Sequence, residues 1–444
     1  MDKSLIITLL LAFSITGCSH NDIYRNVYKD ECVYGKKGDC SNNASQIAYP
    51  GAENEYRLGF IEYDDQGQLR DRIQQDAILD NYYNLAGQQE VVIVTFVHGW
   101  HHSAKPEDGN IQEFRKLLST ISARENDYSQ KFMRKKRLIL GVYIGWRGDS
   151  LNIEYLNTVT FWDRKATAHE VGHKGITEAL LKLEELKNVR NSYDEGQPSA
   201  NRLVTIGHSF GGAVVFSALQ KIMAERFIDS QQDKNYQQYA DGFGDLVILM
   251  NPAFEALRFS SLMELSQDKC RKYQQGQLPK LAILTSETDY ATKLAFPAGR
   301  IFSTFFESHR TMQRHECKGT GSGNMLTVNI AQGEADRTAI GHFKPYQTHL
   351  LELLPNGSEK KFELERAYAD WSASDPTQPS IYSSVNLISK QRTTPLNPYM
   401  NIKVSEDLMD GHNDIWGEQV IDFMRELIAV STTPLPDYKM LSGQ

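Results

Sequence analysis

The chain has 444 residues, of which 40% are hydrophobic, 23% charged and 10% aromatic, with 31 Gly and 14 Pro. That is material for a large buried core, and it excludes a disulfide-stapled miniprotein, a disordered or collagenous chain and a multispanning membrane protein. Lys+Arg 48 against Asp+Glu 56 leaves a net charge of −8, which argues against a sequence-independent grip on phosphate backbones and so against nucleic acid as a partner.

Leu5 to Ile15 is apolar except for Thr8 and Ser14, too short to span a bilayer and placed where a secretory h-region belongs. The run ends in Ile15-Thr16-Gly17-Cys18, which resembles the bacterial lipobox: an aliphatic residue, two small ones, then the cysteine that is lipidated. The resemblance implies that residues 1–17 are a cleaved signal peptide and that lipidated Cys18 holds the protein to a membrane of the cell envelope. Ser19 after it, where Asp would retain a lipoprotein at the inner membrane, fits the outer membrane, facing the periplasm or the cell surface. An ordinary secretory signal with an incidental cysteine is the alternative.

Residues 18–50 are polar and lack a sustained period, which reads as a tether. Apart from Cys18 the cysteines are Cys32, Cys40, Cys270 and Cys317, an even number in a chain that has left the reducing cytosol. The preferred pairing is Cys32 with Cys40 and Cys270 with Cys317. None has the close spacing of a structural zinc site.

From residue 51 onward short β-rich runs alternate with helical patterns. Strands are expected at Tyr56–Tyr63, Val91–Val97, Leu138–Ile144, Leu203–Ile206, Leu246–Met250, Leu281–Thr285 and Tyr399–Val404. Helices are expected at Ile111–Arg124, Lys165–Lys187, Gly212–Arg226 and Gly417–Val430. Near-continuous Val and Ile in the strands mean burial on both faces, so the fold class is α/β, a mostly parallel sheet covered by helices on both sides. Residues 294–397 break the rhythm and read as an insertion or cap within a body spanning 51–444. The basic stretch Lys131–Arg137 reads as a solvated segment leading into a strand.

Leu203-Val204-Thr205-Ile206-Gly207-His208-Ser209-Phe210-Gly211-Gly212 is a buried strand, a glycine-flanked serine and a helix start. A sharp strand-to-helix turn lifts the serine hydroxyl above the sheet, and only glycine fits two residues to either side. Here, and in the strand Val91–Val97 ending in His98-Gly99-Trp100, the sequence resembles the α/β-hydrolase superfamily, specifically its lipase- and esterase-like members. The resemblance covers about residues 88–300 and the last thirty-five. It implies a nucleophile at Ser209, an oxyanion hole from the N–H groups of Phe210 and Trp100, and the order serine, acid, histidine.

A serine hydroxyl needs a base, and the base needs a carboxylate to fix its tautomer. Thr285-Ser286-Glu287-Thr288-Asp289 follows a strand; Asp289 is taken as the acid, with Glu287 as runner-up. Asp410-Gly411-His412 follows the last strand, and His412 is taken as the base over His342, in the irregular segment, and His349, in an apolar helical pattern. His208 is adjacent to the nucleophile and points elsewhere. Trp146-Arg147-Gly148-Asp149 ends a strand and either shapes the substrate site or packs beneath the loop. Leu294–Phe306 is an acyl pocket, a lid or a core helix.

A rival motif exists. His169-Glu170-Val171-Gly172-His173 matches His-Glu-x-x-His, which on a helix binds zinc with the glutamate as general base. It lacks the metzincin continuation, having Ile176 and Ala179 where Gly and His belong, although Glu178, Glu184 and Glu185 lie downstream. His98, His101 and His102 form a loop triplet without a clear carboxylate ligand. The expectation is therefore an ester-cleaving serine hydrolase with lipid esters among its substrates, requiring no metal or organic cofactor. A zinc metallopeptidase and a non-catalytic hydrolase-fold binding module are the alternatives.

Overall fold

The computed structural model describes residues 23–35, 39–64, 66–146, 172, 175–189, 200–231, 238–304, 307–317, 325–355, 359–373, 375 and 378–433. The signal peptide, Cys18, Arg147-Gly148-Asp149, His169, Glu170 and His173 lie outside the described residues. Among those described, no helix is long and apolar enough to cross a membrane.

In chain order the strands are β1 (Cys32–Tyr34), β2 (Ser45–Ala48), β3 (Tyr56–Glu62), β4 (Val91–Val97), β5 (Leu138–Gly145), β6 (Arg202–His208), β7 (Leu246–Met250), β8 (Leu281–Ser286), β9 (Thr311–Cys317), β10 (Met325–Ala331), β11 (His349–Leu353), β12 (Ser380–Ile381), β13 (Val385–Ser389) and β14 (Tyr399–Val404). The helices are α1 (Arg72–Gln88), α2 (Gly109–Lys131), α3 (Gly175–Asn188), α4 (Phe210–Ser230), α5 (Ala256–Gln267), α6 (Phe296–Ser303), α7 (Gln332–Arg337), α8 (Leu364–Ala373) and α9 (Glu418–Thr432). Twelve strands form one sheet in the order β1-β2-β3-β5-β4-β6-β7-β8-β14-β11-β13-β12. From β3 through β11 every neighbouring pair is parallel; β2 against β3 and the β11-β13-β12 edge are antiparallel.

The strand period explains the layers. Along β4, Val91, Ile93 and Val97 face one core and Val92, Val94 and Phe96 the other, as successive side chains on a pleat must. Helices α1, α3, α4 and α5 close the first core. Helices α2 and α9 close the second. The chain goes from β4 through α2 to β5 on one side, then crosses back to β6 on the other, so the helices after β4 and β6 part to opposite faces. The carboxyl ends of the strands at such a switch point are where open α/β sheets bind ligands.

Several expectations need correction. Residues 23–35 and 39–50 do not hang free: β1 and β2 join the sheet, and the Arg25 side chain, 1% exposed, donates to Ala104 O, Cys40 O and Ser41 O and lies over the Phe60 ring. The segment is polar in sequence because hydrogen bonds and a disulfide, more than apolar burial, hold it. Lys131–Arg137 is not simply solvated either. Arg137 is 2% exposed, donating from Nη2 to Glu125 at 2.8 Å and from Nη1 to Thr432 O at 2.8 Å, while Arg134 pairs with the same carboxylate.

His349 begins strand β11, not a helix, and bonds Thr348 Oγ1 at 2.8 Å. The irregular stretch 294–397 contributes β11, β12 and β13 to the main sheet besides the β9–β10 hairpin. Both expected disulfides are present, Cys32–Cys40 and Cys270–Cys317.

Candidate active site

Ser209 sits between β6 and α4 at φ 55, ψ −120, a conformation that non-glycine residues hold only when their surroundings impose it. The surroundings are two chain segments in near contact. A Cβ on Gly211 would lie 2.2 Å from Val97 O, and one on Gly207 2.8 Å from Gly211 O. Neither backbone atom has room to yield, so glycine is required at both places. Ser209 N donates to Met250 O at 2.9 Å, which ties the turn to β7.

His412, the expected base, lies in the loop after β14. His412 Nε2 is 2.7 Å from Ser209 Oγ, and its Nδ1 is 2.9 Å from Asp289 Oδ1. An ionised carboxylate only accepts, so Nδ1 carries the proton and Nε2 presents its lone pair to the serine O–H. Asp289 is fully buried. Burial works to raise its pKa, but the hydrogen bond and charge of His412 and two hydrogen bonds from Thr292 outweigh it and hold the carboxyl below the usual range.

Glu287 faces away. It pairs with Lys403, whose hydrogen bond chiefly holds its carboxyl below the usual range, and it accepts from Glu406 N. The structure thus brings Ser209, His412 and Asp289 together and leaves the runner-up acid outside. Phe210 opens α4, the end of a helix that favours negative charge. A Cβ on Gly99 would lie 2.8 Å from the Cβ of Ser209, so the loop after β4 runs directly against Ser209. The Trp100 ring packs edge-on to Phe210 at 6.4 Å.

Two side chains that hold His412 were not foreseen from the sequence. His208 lies in the nucleophile turn, yet its Nε2 donates to the backbone carbonyl of His412 at 3.0 Å. Burial first, and then the His412 charge, push its pKa down to about 3, so it stays neutral. Asn251, one residue past β7 with φ 44, donates from Nδ2 to His412 O at 2.8 Å and Gly411 O at 3.2 Å. Its Oδ1 accepts from Ser286 N at 2.9 Å. The one local signal for this role is an Asn, tolerant of left-handed backbone, directly after a buried strand.

His98 is fully buried and stacks on Trp146, with centroids 5.6 Å apart. Its Nε2 accepts from Trp146 N at 3.0 Å, and burial holds its pKa at about 4. His102 bonds Asp108 at 3.0 Å. In the stretch after the acid, Phe296 is buried whereas Leu294 and Ile301 are 60% and 49% exposed. Gly172 of the rival motif packs on α4, where an added Cβ would lie 2.6 Å from Val214 O.

Among the described residues, Glu307, His309 and Asp336 have ligand atoms within 4.8 Å of one another and could hold a metal ion. Arg300 already donates to Asp336 Oδ1 at 2.6 Å, supplying positive charge to that cluster. No family model matches the chain, and no curated protein matches it significantly.

Proposed function

We propose that the protein is a serine hydrolase of the α/β-hydrolase type that cleaves carboxylic esters, lipid esters included, through an acyl-enzyme. The observation that carries the reading is the hydrogen-bonded line from Ser209 on its strained turn to His412 and on to buried Asp289. The strand order and the succession nucleophile after β6, acid after β8 and histidine after β14 support it.

In this reading Ser209 Oγ attacks the ester carbonyl as His412 Nε2 takes its proton. Asp289 stabilises the imidazolium and keeps Nδ1–H in place. The oxyanion meets the N–H groups of Phe210 and Trp100. The imidazolium then returns its proton to the leaving alkoxide. Water, activated by the same imidazole, hydrolyses the acyl-enzyme and releases the acid. Every step is served by protein groups.

Chain-length profiling with p-nitrophenyl esters tests the reading. Ser209→Ala should lose about three orders of magnitude or more in kcat, and a variant that keeps the parent rate would remove the assignment. The lipobox reading adds a membrane tether at Cys18. Cys18→Ala should leave the membrane fraction, and its persistence there would contradict the anchor.

A further inference from the structure

We infer that His342, delivered by the segment between the acid and the histidine, is a positioning residue of the active site that acts on Asp289 through Thr292. The inference rests on the proposed roles of Ser209, His412 and Asp289.

The donors can be assigned one at a time. Asp289 Oδ1 accepts from His412 Nδ1 at 2.9 Å and from Thr292 N at 3.1 Å. Its other oxygen, Oδ2, is met by the Thr292 hydroxyl. The carboxylate has no proton to give, so the hydroxyl proton points at Oδ2. Thr292 Oγ1 is then an acceptor toward its remaining neighbour, His342 Nε2, 3.0 Å away, and Nε2 must carry a hydrogen. The chain of donors runs from His342 to Thr292 to Asp289. Each bond in such a chain polarises the next, and the effect is largest where water is excluded. Thr292 is 1% exposed and Asp289 fully buried.

The backbone on both sides is built to hold this arrangement. Thr292 lies in a π-helical turn, Ala291–Ala295, a rare local form that recurs at functional sites. The turn carrying His342 is clamped. Ile340 N donates to Phe254 O at 3.0 Å, Asn401 Nδ2 to Ile340 O at 3.1 Å, and Gln347 Nε2 to Gly341 O at 2.7 Å. A Cβ on Gly341 would lie 1.8 Å from Thr285 Oγ1, so the turn rests directly on β8.

The titratable groups around the His342 imidazole are Asp289, Lys293 and His412. Burial, the largest influence, brings its pKa down to about 4, and the neutral donor form persists above that pH. The irregular segment thereby acquires a role. It completes the hydrogen-bond shell of the acid from outside the loop that bears it.

Loss of this donor lets the Thr292 hydroxyl turn away, leaving more charge on Asp289 for the imidazolium and a looser acid. His342→Phe should lower kcat about tenfold, the equivalent of one buried neutral hydrogen bond, with KM within about twofold of the parent. The acid limb of kcat/KM should move to higher pH by about half a unit. His342→Gln, which can return an N–H, should recover most of the loss. In a Thr292→Val background His342→Phe should cost much less, because the link through Thr292 is gone and only the hydrogen bond to the Asp289 backbone remains to be lost.

A parent-like kcat and pH profile in His342→Phe would overturn the inference, as would fully additive losses in the double variant. If His342→Phe does not fold, His342→Leu carries the same expectations. Retained hydrolysis in Ser209→Ala overturns the underlying mechanism; a dead Ser209→Ala beside a parent-like His342→Phe overturns the positioning role alone.

Discussion

Asn251→Ala removes the amide that spans the acid strand and the base loop. The residue is fully buried, and its side chain makes hydrogen bonds of 2.8 Å to His412 O, 3.2 Å to Gly411 O and 2.9 Å from Ser286 N. A buried hydrogen bond contributes about 0.5–1.5 kcal/mol net, and a buried N–H left without an acceptor costs about 1–3 kcal/mol. Because φ is 44, alanine adds roughly 1 kcal/mol of backbone strain. Two lost bonds, the orphaned Ser286 N–H and the strain together make a destabilisation of about 3–7 kcal/mol. The His412 carbonyl keeps its other anchor, His208 Nε2 at 3.0 Å, so the loop loosens without being released. A displacement of the base of that kind costs on the order of 100-fold in kcat, with KM little changed.

Urea unfolding followed by Trp fluorescence, run beside ester kinetics, reads both quantities. Asn251→Gly separates the causes: glycine relieves the strain, so it should be about 1 kcal/mol more stable than alanine and no more active. An Asn251→Ala protein within about 1 kcal/mol of the parent and within threefold in kcat would refute the reasoning.

Asp289→Asn should lower kcat by about four orders of magnitude, as expected when the orienting carboxylate of such a triad is lost. Glu287→Gln, touching Lys403 and not His412, should stay within about threefold; steady-state kinetics on the pair decide which carboxylate acts. Burial works to raise the Glu125 carboxyl, but Arg134 and Arg137 outweigh it and hold it down at about 2 against the usual 4.5. A depressed pKa gives stability that is present above 4.5 and is lost as pH falls toward 2, here on the order of 3 kcal/mol. Denaturant midpoints measured across that range should show the decline, and Arg137→Met, which leaves the carboxylate half-paired, should lower stability by about 3 kcal/mol at neutral pH. Opening Cys270–Cys317, with 47 residues of separation, should destabilise more than opening Cys32–Cys40, with 8. On loop-closure entropy the values are about 4 against about 2.6 kcal/mol, and thermal unfolding of the paired Cys→Ser variants compares them.

What the sequence discloses follows from how locally each feature is determined. Strands β4, β7 and β14 are legible to the residue because both faces are buried and the apolar run has sharp ends. The nucleophile turn is legible because its glycines are required by contacts within a few residues. The choice between Glu287 and Asp289 is less so, since it depends on how the loop after β8 meets the loop after β14, more than a hundred residues away. Asn251, His208 and His342 act through partners 161, 204 and 50 residues distant, and beyond the Asn that ends a buried strand nothing local marks them.

Edge strands escape for a different reason. β11 is mostly half-buried, so no clean alternation develops along it. Helix α1 buries Ile78, Tyr82 and Ala86 on one stripe but also Gln74 and Gln75, which blurs its period. Arg25 and Arg137 look like solvated charges until the folded chain supplies the carbonyls and carboxylate that neutralise them.

In the proposed mechanism one activated hydroxyl performs the chemistry, and covalent labelling addresses it most directly. The full-length protein treated with a fluorophosphonate should gain a single adduct that peptide mass mapping places on Ser209, with none in Ser209→Ala and a strongly slowed reaction in His412→Ala. An unlabelled parent that still hydrolyses esters, or an adduct on any other residue, would contradict it.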